Sequence, residues 1–150
     1  MTTKRFEPLD ISGDAGIRAF GPDLKELFVN SALGMYSLIT DPDEITGSDT
    51  LDVSCENVTV EGLLVSWLNE LIFRFDAYGF LAKEIVITDF AIRPERPGEV
   101  SAPKIKASLT GEAFEPERHA AGLLIKAATY HKLKIEKVGD LWVAEIIFDI

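Results

Sequence analysis

A chain of 150 residues, 47% hydrophobic and 27% charged, has the makings of one globular domain spanning 1–150 with a core of its own, and is neither disordered nor membrane-spanning in composition. Its formal net charge of −10 argues against wrapping nucleic acid unaided, since phosphate neutralisation needs clustered Lys and Arg; such a surface suits solubility, a hard cation or a basic partner. One cysteine, Cys55, excludes an internal disulfide framework and any multi-cysteine zinc site, and its alternation with Val53 marks a small buried residue. The start, Met1-Thr2-Thr3-Lys4-Arg5-Phe6-Glu7-Pro8, has no apolar signal core, and no stretch has the length of a membrane helix, so a cytoplasmic protein is expected.

Arg5 to Leu9 is expected as a short strand, followed by a glycine-containing loop, Ile11-Ser12-Gly13-Asp14-Ala15-Gly16, and a second strand, Ile17-Arg18-Ala19-Phe20. Gly21-Pro22-Asp23 opens a first helix: proline is tolerated in the first turn, and Asp23 and Glu26 suit the positive end of the dipole. Leu24, Leu27, Phe28, Ala32, Met35, Tyr36 and Ile39 recur at helical spacing. The helix ends near Thr40-Asp41-Pro42, because the residue before a proline is pushed out of the α region. Leu51-Asp52-Val53-Ser54-Cys55 alternates as a half-buried strand does. A second helix is expected from about Glu61 to Tyr78, with Leu63, Leu64, Trp67, Leu68, Leu71 and Phe75 on one side. Glu70 and Arg74 stand in the favourable order for a helical ion pair, and Gly79 is a suitable stop.

The rest is strand-like. Ile85 to Ile92 forms one strand, Arg93-Pro94-Glu95-Arg96-Pro97-Gly98-Glu99 a turn, and Lys104 to Glu112 a strand with Ile105, Ala107 and Leu109 inward. Leu133 to Lys137, a turn at Val138-Gly139-Asp140, and Leu141 to Ile150 make a hairpin. On its last strand Trp142, Ala144, Ile146, Phe148 and Ile150 share one face, and Val143, Glu145, Ile147 and Asp149 the other. The fold class that results is α+β: a mostly antiparallel sheet with two helices packed on one face.

Several catalytic schemes are absent. Two histidines, His119 and His131, are too few for an imidazole-rich metal site and are most simply hydrogen-bonded surface or rim residues. There is no G-x-S-x-G elbow and no phosphate-binding G-x-x-x-x-G-K-[ST] loop. What remains is a set of acids near the two ends. Asp149-Ile150 closes a strand-like run; an ordered end would hold the Ile150 α-carboxylate beside Asp149, and Asp14 would complete a set of hard oxygens suited to a divalent cation. The plainer alternative is a frayed end in which Asp149 serves solubility and Asp14 satisfies turn amides. Lys126 either points to solvent or, beside such carboxylates, balances charge or pairs with a phosphate.

Five blocks in order and spacing resemble the archease family: Asp14-Ala15-Gly16-Ile17-Arg18-Ala19-Phe20-Gly21; Trp67-Leu68-Asn69-Glu70-Leu71; Gly111-Glu112-x-Phe114-x-Pro116-x-Arg118-His119; Lys126-Ala127-x-Thr129-Tyr130-His131; and Ile147-Phe148-Asp149-Ile150. The resemblance implies a small α+β protein that does not ligate RNA itself. It assists the tRNA- and RNA-splicing ligase that joins cyclic-phosphate and hydroxyl ends with GTP and a divalent metal, promoting its guanylylation and multiple turnover. It further implies that the metal-binding acids fall on Asp14, Asp149 and the carboxylate of Ile150, and the functional lysine on Lys126. Oxygen-only ligation favours Ca²⁺, then Mg²⁺ or Mn²⁺, over zinc. One departure from the family pattern matters: D-H-T-A-D becomes Asp10-Ile11-Ser12-Gly13-Asp14, with Ile11 in place of the histidine and both aspartates retained. Two other classes compete, a general chaperone or adaptor with an acidic surface, and a metal-dependent phosphohydrolase using the same carboxylates.

Overall fold

Alternation and helical spacing resolve into eight strands and two helices among the residues that the computed structural model describes: 4–11, 13–92, 98 and 102–150. Strands β1 (Phe6–Ile11) and β2 (Asp14–Gly21) form a hairpin that leads into helix α1 (Leu24–Ile39). Strand β3 (Asp49–Glu56), helix α2 (Val60–Tyr78), and strands β4 (Phe80–Ala91) and β5 (Lys104–Ala113) follow. A two-residue strand β6 (Ala127–Ala128) precedes the closing hairpin of β7 (Lys134–Val138) and β8 (Leu141–Asp149). The α+β class with two helices on antiparallel strands is as expected, and the strands are divided between two sheets. The first runs β1-β2-β8-β6, with β7 also paired to β8; the second runs β3-β5-β4.

Both helices end where their residues require. The Asp23 side chain accepts the Glu26 N–H at 2.8 Å and caps α1, while Thr59 caps α2 by accepting from Gly62. Gly79 stops α2 in the left-handed region at φ 71°, donating to the Arg74 and Phe75 carbonyls. Glu70 and Arg74 pair at 2.9 Å, as their spacing predicts. Helix α1 packs on β1, β2 and β8 and also on β4; α2 packs on β3, β4 and β5 and also on β6. The helices therefore link the two sheets through one continuous core.

Three expectations change in detail. The loop read over Ile11–Gly16 is shorter, because Asp14 already begins β2 and pairs with Ile11. Gly13 takes φ 81° in the turn, whereas Gly16 lies within the strand; Ser12 lies outside the described residues. Strand β4 begins at Phe80, not Ile85, since register shifts at Ala82/Glu84 and Ile87/Asp89 break the alternation that would have revealed it. The turn expected at 93–99 lies, apart from Gly98, outside the described residues. Cys55 is half-buried near the Ser66 carbonyl, and burial pushes its thiol up to about 11.

Trp67 is the largest fully buried side chain, and its indole N–H donates to the Phe28 carbonyl of α1 at 3.0 Å. Replacing it removes a large apolar contact and one hydrogen bond that links α2 to α1. Trp67→Ala is expected to lose about 3–5 kcal/mol of stability, measurable as a lowered urea midpoint; an unchanged midpoint would contradict this account of the core.

Candidate metal centre

The β2–β8 register pairs Ala15 with Phe148, Gly16 with Ile147 and Arg18 with Glu145. Ala15 and Phe148 are buried on the core side. The β2–β8 pairing ends there; Asp14 and Asp149, the residues that flank its last pair, are both exposed. On the other side of β8, Ala127 pairs with Asp149, and the Lys126 N–H donates to the Asp149 carbonyl at 2.8 Å. Neighbouring segments thus bring Asp14, Asp149 and Lys126 to one corner, and Ile150, 45% exposed, follows directly.

The donor set is chemically suited to a hard cation: two carboxylates from adjoining strands with a third on the next residue if the chain end is free. Among the described residues no three His, Cys, Asp or Glu side chains gather as a metal-ligand set. Two aspartates therefore need the Ile150 carboxylate, solvent or a partner to complete a coordination sphere.

Beside this corner lies an open groove of about 430 Å³, lined by Leu9, Asp10, Ile11, Asp14, His131, Lys132, Glu145 and Ile147. Close packing under Ile11 excludes a side chain at Gly16, where a Cβ would come 2.9 Å from the Ile146 carbonyl and 3.1 Å from Ile11 Cδ1. Ile11 pairs across the hairpin with Asp14, so the histidine of the family pattern would stand directly beside this acid. Arg18 ties the groove's outer face together. Its Nε and Nη2 donate to Glu145 Oε2 at 3.1 and 2.8 Å, and Nη1 donates to Glu7 Oε1 at 2.8 Å. Those bonds, Glu145 first, raise the Arg18 pKa, and Arg18 in turn holds the Glu7 carboxyl below the usual range.

A second cluster explains the Glu112–His119 block. His119, expected at the surface or rim, is only 2% exposed. Its Nδ1 accepts the Glu115 N–H at 2.8 Å, which leaves the neutral ring's proton on Nε2, 2.9 Å from Glu112 Oε2. Arg118 donates to both Glu112 oxygens, at 2.9 and 2.6 Å, and the Thr46 N–H adds a bond at 2.7 Å. The Arg118 guanidinium, then the Thr46 amide, hold the Glu112 carboxyl far below the ordinary range. The segment beyond is tied to the end of α1: Gly122 and Leu123 donate to the Ile39 and Leu38 carbonyls, and Thr40 Oγ1 donates to the Ala120 carbonyl at 2.6 Å. This cluster fastens the irregular stretch that leads to Lys126. Apolar periodicity carries no sign of it; the only signal is the concentration of polar types in one block.

The fold defines a class: a small α+β protein of two antiparallel sheets with two helices packed against them. The model of the archease protein family (MTH1598/TM1083) matches residues 6–150. Protein archease of Methanosarcina acetivorans is 38% identical over 149 residues, 98% of this chain and 97% of that protein. The Pyrococcus abyssi archease is 33% identical, with 98% and 99% covered. The solution structure of Methanobacterium thermoautotrophicum protein 1598 superposes with a TM-score of 0.79 at 29% identity, covering 99% of this chain and all of the other. An archease and possible chaperone from Thermotoga maritima shares the fold, with a TM-score of 0.61 at 19% identity and full coverage of both chains. This chain belongs to the archease family. No helix among the described residues is long and apolar enough to cross a membrane.

The lowered Glu112 pKa fixes the sign of an acid dependence. A carboxyl held below its ordinary 4.5 contributes stability that is complete above that pH and disappears as pH falls through the folded value. Glu112→Gln is expected to lower the melting temperature at pH 7 and to flatten its decline below pH 4.5. Parallel melting-temperature profiles for the two proteins from pH 7 to pH 2 would contradict the assignment.

Proposed function

We propose that this chain is a metal-binding protein cofactor of the RNA-splicing ligase that joins cyclic-phosphate and hydroxyl ends, promoting its guanylylation and multiple turnover in tRNA splicing. The observation that supports the reading is that the segments carrying Asp14, Asp149 and Lys126 are neighbours: β2 pairs with β8 up to Ala15 and Phe148, and the Lys126 N–H donates to the Asp149 carbonyl. Asp14, Asp149 and the Ile150 carboxylate would hold the cation, Ca²⁺ in first place with Mg²⁺ or Mn²⁺ next. A bound cation supplies a concentrated positive charge for phosphate oxygens. Lys126 offsets the carboxylates or receives a phosphate at the same corner. The net charge of −10 favours docking on a basic protein surface over stable binding to RNA. The chain is thus an activator without catalysis of its own.

A second reading, general chaperone or adaptor, is favoured by the description of the Thermotoga maritima relative as a possible chaperone. The two separate on the acids. Multiple-turnover ligation by the cognate ligase is expected to rise when this protein is added and to fall about 10-fold or more with Asp14→Ala or Asp149→Ala, the scale on which metal sites respond to lost support. Stimulation untouched by both substitutions would favour the adaptor. A glycine added after Ile150 displaces the terminal carboxylate and should weaken stimulation likewise; full activity in that variant would remove Ile150 from the ligand set.

A further inference from the structure

The strand that carries Lys126 to the corner is only two residues long, and such a strand is marginal by itself. On one side β6 pairs with β8; on the other, among the described residues, it has no strand neighbour. Helix α2 fills that side with one side chain. Asn69 Oδ1 accepts the Ala128 N–H at 2.8 Å, and Asn69 Nδ2 donates to the Ala128 carbonyl at 3.2 Å. The carboxamide therefore supplies the donor and acceptor that an adjoining strand would offer. On the opposite edge, Lys126 donates to the Asp149 carbonyl at 2.8 Å, and Thr129 donates to the Ile147 carbonyl through N at 3.1 Å and Oγ1 at 2.8 Å. Residues 126–129 are consequently gripped from both sides, by β8 and by Asn69.

Asparagine is a weak helix former and gains nothing from burial in the middle of α2 unless its amide is used. Only a carboxamide of this length serves Ala128 at both atoms. Aspartate would set a carboxylate oxygen against the Ala128 carbonyl, and leucine would leave both backbone groups unpartnered. We propose that Asn69 is a positioning residue: it takes the place of a missing sheet strand and fixes Lys126 against Asp149 and the chain end, without touching metal or ligase itself. The inference rests on the proposed role of Lys126 in activating the ligase.

The test uses the full chain with Asn69→Asp and Asn69→Leu, followed by amide hydrogen exchange and by ligation. Exchange at Lys126, Ala128 and Thr129 is expected to accelerate about 10-fold, as when a local opening loses a hydrogen bond, while amides of β2 and α1 keep their protection. Stimulation of the ligase should fall toward that of Lys126→Ala, and Asn69→Leu combined with Lys126→Ala should be no worse than Lys126→Ala alone. Unchanged exchange at 126–129, or losses that multiply in the double variant, would overturn the proposal. Where the wild-type protein gives no stimulation, or Lys126→Ala has no effect, the functional reading fails, and the exchange result alone decides whether Asn69 holds the strand.

Discussion

The register of β8 is the constraint on which the candidate site depends. This strand lies inside the first sheet, paired to β2 on one side and to β7 and then β6 on the other. Its inner face, Ala144, Ile146 and Phe148, is fully buried against the helices. A slip of one residue would turn those three side chains to solvent and drive Asp149 into the core. The position of Asp149 is therefore set by hydrophobic burial some residues away. A strand end that would otherwise fray is held to Asp149 by Ala127 and Lys126.

The supports around the corner are polar and local. Arg18 spans β1, β2 and β8 by holding Glu7 and Glu145, which keeps the outer face of the sheet in one piece. Glu112, Arg118 and His119 anchor the stretch that approaches from the second sheet, and Asn69 meets its end at β6.

Much of this was legible in the residues, for reasons of period. The α1 and α2 faces, the alternation of Lys104 to Glu112 and the two faces of Leu141 to Ile150 repeat at 3.6 or 2 residues, and the structure follows them. Strand β6 has two residues and no period to detect, so its pairing with Asp149 needed tertiary information. The division into two sheets was also hidden, since alternation says which face is buried and not which neighbour lies alongside. Asp14 and Asp149 were legible as candidates through the family blocks, and the β2–β8 register brings their strands side by side. His119 was misplaced toward the surface because a histidine satisfied by a buried glutamate looks, in sequence, like any other polar loop residue. Asn69 stood in one of the quoted blocks, but its role was hidden until the backbone of Ala128 was seen beside it.

Family membership is established, and action on a ligase's metal-dependent site is the proposal built on it. Ile11 pairs with Asp14 across the β1–β2 hairpin and sets an apolar residue beside that acid. The most direct test is calorimetric titration of Ca²⁺ and Mn²⁺ into the wild-type chain, Asp14→Asn and Asp149→Asn under identical salt. One site on the wild type, weakened about 10-fold or more by either substitution, is the expected result. Equal affinity in all three proteins, or no binding by the wild type, would contradict a metal centre at this corner.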